Sequence, residues 1–363
     1  MFDLTKLPIH YDHVFGHNSS WREALNSALR GDTKRLHRIA ENLDLIAPVA
    51  RRTLLSMFFY AHYGQVSYCV GPVMREAFER TRLGSVPEGS LRTPYPTFYI
   101  ALPECPWLLW GGETGWHQCG GIYVRGDEDT VSIIAWGKEN EKSNRVGDDA
   151  TFWADINLKE VPRVSRPGDS EKWLDLDSYI STLLHSNRAQ NDPGMGAPLH
   201  ARGEMIRNAL PLLRIVFALI LYLGSVNAEE DATKVNDSKK RDLETALGRL
   251  KNPNKSKGQR LRRQLDALAV PTVIWVGRSI ETREGGCKRP QGNQKFHYRP
   301  GYFNHYWTGL RKDATGQPIP RTEQKRVRKW IEGYWVNKDT RNETDPAAGH
   351  GKIVRFREDW IQP

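Results

Sequence analysis

Cysteine is scarce. Cys69, Cys105, Cys119 and Cys287 are the only thiols in 363 residues. They are too few and too widely spaced for a disulfide framework, which points to a reducing, cytoplasmic setting. Close cysteine pairs are missing, so zinc ribbons and fingers are excluded. Cys105, His117 and Cys119 come nearest to a ligand set, but their spacing matches no zinc pattern, and no metal or cofactor is expected. His117 and Cys119 could share a strand face as base and nucleophile, yet no third member is evident, and buried cysteine is the commoner explanation. A phosphate-cradling glycine loop with its lysine is absent, as is a G-x-G-x-x-G after a strand. Nucleotide-hydrolysing and dinucleotide-binding classes are thereby excluded. Residues 1–8 lack a charged start followed by an apolar run, so no signal peptide is expected. The most hydrophobic stretch, residues 212–223, is interrupted by Arg214 and preceded by Pro211. It falls short of the roughly 20 apolar residues of a membrane span, which favours a buried helix and no membrane partner. No internal repeat is found.

What is abundant is aromatic side chain and positive charge. A hydrophobic share of 39% with twelve tryptophans is ample for a folded body. The net charge of +10 is divided unevenly: residues 233–363 carry 29 Lys or Arg against 14 Asp or Glu, whereas residues 1–232 carry 24 against 29. An anionic partner would therefore meet the C-terminal third. Three regions are expected: a helical part over 1–90, an antiparallel sheet with a hydrophobic helix over 91–232, and a basic region over 233–363.

In more detail, residues 20–80 read as helical, with a Ser19–Ser20 cap, an apolar period from Leu36 to Ile46 and a breaker at Gly71–Pro72. Strands follow at 97–102, 107–110, 121–124, 130–136 and 151–158, where β-formers stop at glycine or proline. Helices return at 175–185 and 202–223. The acidic-to-polar segment 228–236 reads as a boundary. Charged helices at 239–250 and 259–268 flank a basic turn; such a basic hairpin could bind a phosphate backbone, but a solvated charged face is the commoner reading. Residues 271–277 read as a buried strand and 353–361 as a last short one. The fold class is α+β, the sheet being crossed by the hydrophobic helix.

The stretch that stands apart is 295–309 with its basic answering segment, 325–337. Aromatic planes interleaved with cations suit a surface that grips a polyanion or stacks on flat groups. From the first piece Arg299, Tyr302, Phe303, His305, Tyr306 and Trp307 are candidate binding residues. The second adds Arg326, Arg328, Lys329, Trp330 and Trp335. A plainer alternative is an edge hairpin whose aromatics pack on the body while its cations sit in water. His297 and His305 beside Lys295 and Arg299 also resemble the inventory of a metal-independent ribonuclease, one histidine taking a proton and one donating. That needs an unbroken strand between them, and Pro300–Gly301 interrupts it.

Residues 299–309 (R-P-G-Y-F-N-H-Y-W-T-G) and 328–337 (R-K-W-I-E-G-Y-W-V-N) resemble the C-terminal signature of a type V-A anti-CRISPR family. The family pattern runs R-x-G-H-W-x-x-Y-W-x-G, followed by a basic strand with Trp and a closing Val-Asn. Residues 93–103, ahead of Cys105 and Trp107, and 209–213, which open the hydrophobic helix, are similar in the same order. Here Tyr302 and Phe303 stand where the family has His-Trp. The resemblance implies a non-enzymatic regulator encoded by a mobile element, phage or plasmid. Such a regulator lowers the mRNA of a CRISPR effector nuclease in a translation-dependent way by recognising the effector's emerging N-terminal peptide. The expected partners are thus a target protein or nascent peptide, with RNA or ribosome at the basic C-terminal region. The competing readings are a nucleic-acid-processing enzyme using His297 and His305, and a non-catalytic adaptor whose basic tail is merely solvated.

Overall fold

A computed structural model describes residues 48–84, 86–87, 90–110, 115–137, 151–165, 172–185, 199–234, 236–250, 253–268, 270–277, 297–299, 302–308, 317, 319, 325–331 and 334–336. The helices expected before residue 48, the strand expected at 353–361 and Cys287 lie outside them. Helix α1 (Pro48–His62) ends where Gly64 and Gln65 adopt positive φ of 96° and 55°, a left-handed turn that reverses the chain. It delivers β1 (Val66–Val70), and Pro72 then opens α2 (Pro72–Glu79) from a position where its missing N–H has no partner to lose.

The strands β2 (Val86–Pro87), β3 (Thr97–Ala101), β4 (Leu108–Trp110), β5 (Trp116–Gly126), β6 (Thr130–Gly137), β7 (Thr151–Asn157), β8 (Arg163–Val164) and β9 (Trp173–Leu174) follow. Then come α3 (Leu176–His185), α4 (Leu199–Leu223), β10 (Glu230–Lys234), α5 (Asp237–Gly248), α6 (Ser256–Ala267) and β11 (Thr272–Val276). The last strands are β12 (His297–Arg299), β13 (Tyr302–Thr308), β14 (Lys325–Ile331) and β15 (Tyr334–Val336).

The main sheet runs β10-β11-β1-β3-β5-β6-β7, with β4 also paired to β5. Only the β1–β11 and β1–β3 pairings are parallel, so the sheet is mostly antiparallel and the α+β class holds. Helix α4 belongs to the same hydrophobic core as the sheet and continues through Pro211. By length and composition its segment Gly203–Leu223 is apolar enough to cross a membrane, a correction to the sequence expectation. However, 67% of its most apolar window is buried inside the fold, as suits a core helix.

Two sequence expectations are corrected here. Residues 66–70 fall in a region read as helical, yet they form β1, buried at every position. A strand flanked on both sides shows no alternation and cannot be told from a buried helix by periodicity alone. Residues 230–234, read as a boundary, form edge strand β10, exposed throughout. β1 pairs directly with β11, in register Val66 to Thr272.

Candidate functional site: a docked aromatic-basic hairpin

β13 and β14 form an antiparallel pair with Tyr302 opposite Ile331, Phe303 opposite Trp330, Asn304 opposite Lys329 and His305 opposite Arg328. A strand shows alternate residues to opposite faces, so this register sorts the aromatic and basic set into two groups. Trp330 is 2% exposed and Phe303 packs against the core, whereas Tyr302 is 43% exposed and Lys329 is exposed. The expectation of Trp330 as a binding residue is corrected for its ring, which is buried in the body, while Phe303 is partly buried against the core. Arg328, of the same parity as Trp330, is only half-buried, and its guanidinium lies 5.9 Å from the Phe303 ring centroid.

The Trp330 indole wedges between α2 and the end of α4. Its ring meets Phe78 edge-on at 5.8 Å and Tyr222 at 5.5 Å, and those two meet each other at 5.5 Å. Edge-to-face arrangements at these separations are favourable beyond the area buried. The indole N–H donates to Thr81 Oγ1 at 3.3 Å, which satisfies its one polar atom.

The segment after α4 then behaves as a short partner strand for β14. The Val226 N–H donates to the Arg328 carbonyl at 2.9 Å. The Asn227 side chain accepts from the Trp330 N–H at 3.0 Å and donates to the Trp330 carbonyl at 3.0 Å. One carboxamide thus satisfies both main-chain groups of the buried tryptophan. Asn227→Ala is expected to leave both unpaired and to lower stability by about 1–3 kcal/mol. Denaturant titration with an unchanged slope is the measurement, and unaltered stability would show the clamp to be idle.

Arg328 has an unusual setting. Its Nη2 lies against Gly224, just past α4, where a Cβ would collide with it. Burial pushes its pKa down to about 10, and its Nε has no hydrogen-bond partner. The end of α4, the negative pole of the helix dipole, is what that cation meets.

The remaining candidates divide as follows. His297 pairs with Val336 in the β12–β15 ribbon, while His305 pairs with Arg328 in β13–β14. They therefore belong to two separate two-stranded sheets, and the continuous strand a two-histidine ribonuclease would need is broken. Arg299, Trp335, Tyr306, Trp307 and Arg326 take register positions in these two ribbons. Cys105 and Cys119 are buried and hydrogen-bonded through their thiols, which draws the Cys105 pKa below its usual value. His117 is buried as well. Among the described residues no group of three or more His, Cys, Asp or Glu is arranged to hold a metal.

Sequence reasoning missed the docking partners Thr81, Tyr222, Gly224 and Asn227. Only the Gly-Ser-Val-Asn run after a long helix hinted at a turn. It also missed an open groove of about 760 Å³ whose lining includes Thr93, Tyr95, Pro96, Asp127, Lys159 and Arg163. The β5–β6 turn forms its acidic wall: Asp127 Oδ1 accepts from the Asp129 and Thr130 N–H groups at 3.0 and 2.7 Å. Lys159 pairs with Asp129 at 2.5 Å. Tyr95, 36% exposed, lies in the 93–103 stretch that resembles the anti-CRISPR family.

Comparison with known proteins bears on this arrangement. No significant match is found among curated proteins. Among solved structures, one described as a crystal structure of AcrVA2 aligns with TM-score 0.40 and 12% identity, covering 90% of this chain and 96% of the other. The profile of the AcrVA2-like family, described as the anti-CRISPR type V subtype A2 family, matches residues 68–338, from β1 through the docked hairpin. The chain belongs to that AcrVA2-like family of anti-CRISPR proteins.

Proposed function

We propose that this anti-CRISPR protein, encoded by a mobile element and acting in the cytoplasm, recognises an emerging segment of its target protein and lowers the target's mRNA. The body reads the protein segment, and the basic C-terminal region contacts RNA or the ribosome. The observation that carries this division is the charge split, −5 over residues 1–232 against +15 over 233–363. An anionic partner is drawn to the second part and not the first. The groove beside Tyr95 supports the body's share, since its volume of about 760 Å³ falls within the range of pre-formed ligand clefts and it presents both charge signs along its rim.

Crosslinking in a translating extract, followed by identification of both protein and RNA partners, tests the reading. The expected result is recovery of an effector nuclease's nascent chain together with its message or ribosomal RNA, and loss of the RNA on nuclease treatment. Recovery of full-length, released effector with no RNA in any arm would overturn it.

A further inference from the structure

A second cationic element lies outside the strand hairpin. β10 and β11 form an antiparallel pair at one edge of the main sheet, and their connection is enlarged into the helical hairpin α5–α6. These two helices pack chiefly on each other. Leu243, Ala246 and Leu247 on α5 and Leu261 and Leu265 on α6 are half-buried. No residue of α5 is fully buried. Gly258 lets the first turn of α6 close on the Pro253 carbonyl, where any Cβ would collide. The result is a self-contained arm about 18 Å long, at a rise of 1.5 Å per residue.

Its charge is lopsided. Residues 236–268 carry ten Lys or Arg against four Asp or Glu. Among the described residues one ion pair forms there, Arg241 with Asp237. Lys239, Lys240, Lys257, Arg260 and Arg263 are exposed without an ion-pair partner. Lys255 and Lys257 stand at the start of α6, which has no acidic residue in its first turn and no side-chain cap. Cations at the positive end of a helix work against the helix's own stability, so this placement is not what an idle solvated face needs. An incoming anion would relieve the repulsion.

The segment 236–268 also contains no Phe, Trp, Tyr or His. With no plane on which unpaired bases could stack, the arm is suited to backbone phosphates and poorly suited to single strands. We infer that the α5–α6 hairpin is a binding element for double-stranded RNA, recognising the duplex by its phosphates without reading sequence. This rests on the proposed contact of the basic C-terminal region with RNA and places that contact on the helical arm.

The test is an anisotropy titration of the full chain against a labelled RNA duplex of roughly 16 base pairs, the span of a known double-stranded RNA module, over a range of salt. The quintuple variant Lys239→Gln, Lys240→Gln, Lys257→Gln, Arg260→Gln, Arg263→Gln is expected to bind about tenfold or more weakly, with a salt slope shallower by about 0.9 for each phosphate no longer neutralised. Circular dichroism checks that it stays folded, and a second variant joins Lys234 to Thr272 through an Asn-Gly turn, since those residues are already paired. Lys329→Gln on the strand hairpin is expected to leave duplex binding near the wild-type level.

Undiminished duplex affinity in the folded quintuple variant would overturn the inference. So would tighter binding of a single-stranded uridine oligomer, or of a polyglutamate peptide, than of the duplex. If the purified chain binds duplex through these five residues but the extract crosslinks hold no RNA, the proposed function fails and this inference stands. RNA crosslinks that survive the quintuple substitution sink this inference alone.

Discussion

Trp330→Ala is expected to lower stability by about 3–5 kcal/mol, the range for removing a large buried aromatic. The ring is enclosed by Phe78 and Tyr222, its N–H is bonded to Thr81, and its main chain is clamped by Asn227. All four partners lie at least a hundred residues before Trp330 in the chain. The loss should therefore appear in two ways: a fall in the denaturation midpoint, and protease cleavage within residues 302–331 under conditions where the sheet survives. Trp330→Phe should keep much of the packing while leaving Thr81 without its indole donor, and so fall between. Because Trp330 and Asn227 are in direct contact, Asn227→Ala and Trp330→Ala should combine to less than their sum. A Trp330→Ala protein with unchanged stability and protease pattern would mean that the hairpin is held elsewhere.

Gly121→Ala is expected to be nearly as damaging, with a loss of about 3 kcal/mol, the upper end of the usual range for overpacking. Gly121 follows the β5 bulge and pairs with Ala101 on one side and Trp136 on the other. A Cβ here would run into the Tyr99 hydroxyl and ring, and would lie 2.7 Å from the Ile100 carbonyl. Tyr99 cannot simply withdraw, because it is fully buried and its ring meets Tyr123 at 4.9 Å and Tyr60 at 6.5 Å. The measurement is thermal or chemical unfolding of Gly121→Ala, alone and with Tyr99→Leu. Partial rescue in the double variant is the expected outcome, and an unperturbed single variant would show that the bulge can shift to make room.

The elements legible in the sequence were those with a single dominant period or a clean stop. Strands β3, β6, β7 and β11 and helix α4 were expected within a few residues of where they lie. β1 was missed because a strand with parallel partners on both sides is buried throughout and shows no alternation, so it reads as buried helix. β10 was missed for the opposite reason: Glu230 to Lys234 are all exposed, so nothing but pairing to β11 makes them a strand. The aromatic-basic set at the hairpin was visible as composition, yet its division was not. Which of Tyr302 and Phe303 faces the body depends on register, and register is set by contacts with Tyr222 and Asn227 roughly a hundred residues earlier. The shared signature carried the family, while the roles of its residues had to come from packing.

The parallel β1–β11 pairing has a consequence for how the chain is made. The Gln65 side chain accepts from the Val270 N–H across 205 residues of sequence, and β1 lies between β3 and β11 in the finished sheet. Synthesis at about 5–20 residues per second leaves that flank of β1 open for on the order of ten to forty seconds. During that interval a strand with free main-chain groups is a ready template for pairing with other chains. Truncations ending before residue 272 are therefore expected to be aggregation-prone, although they retain the central helix and most of the sheet.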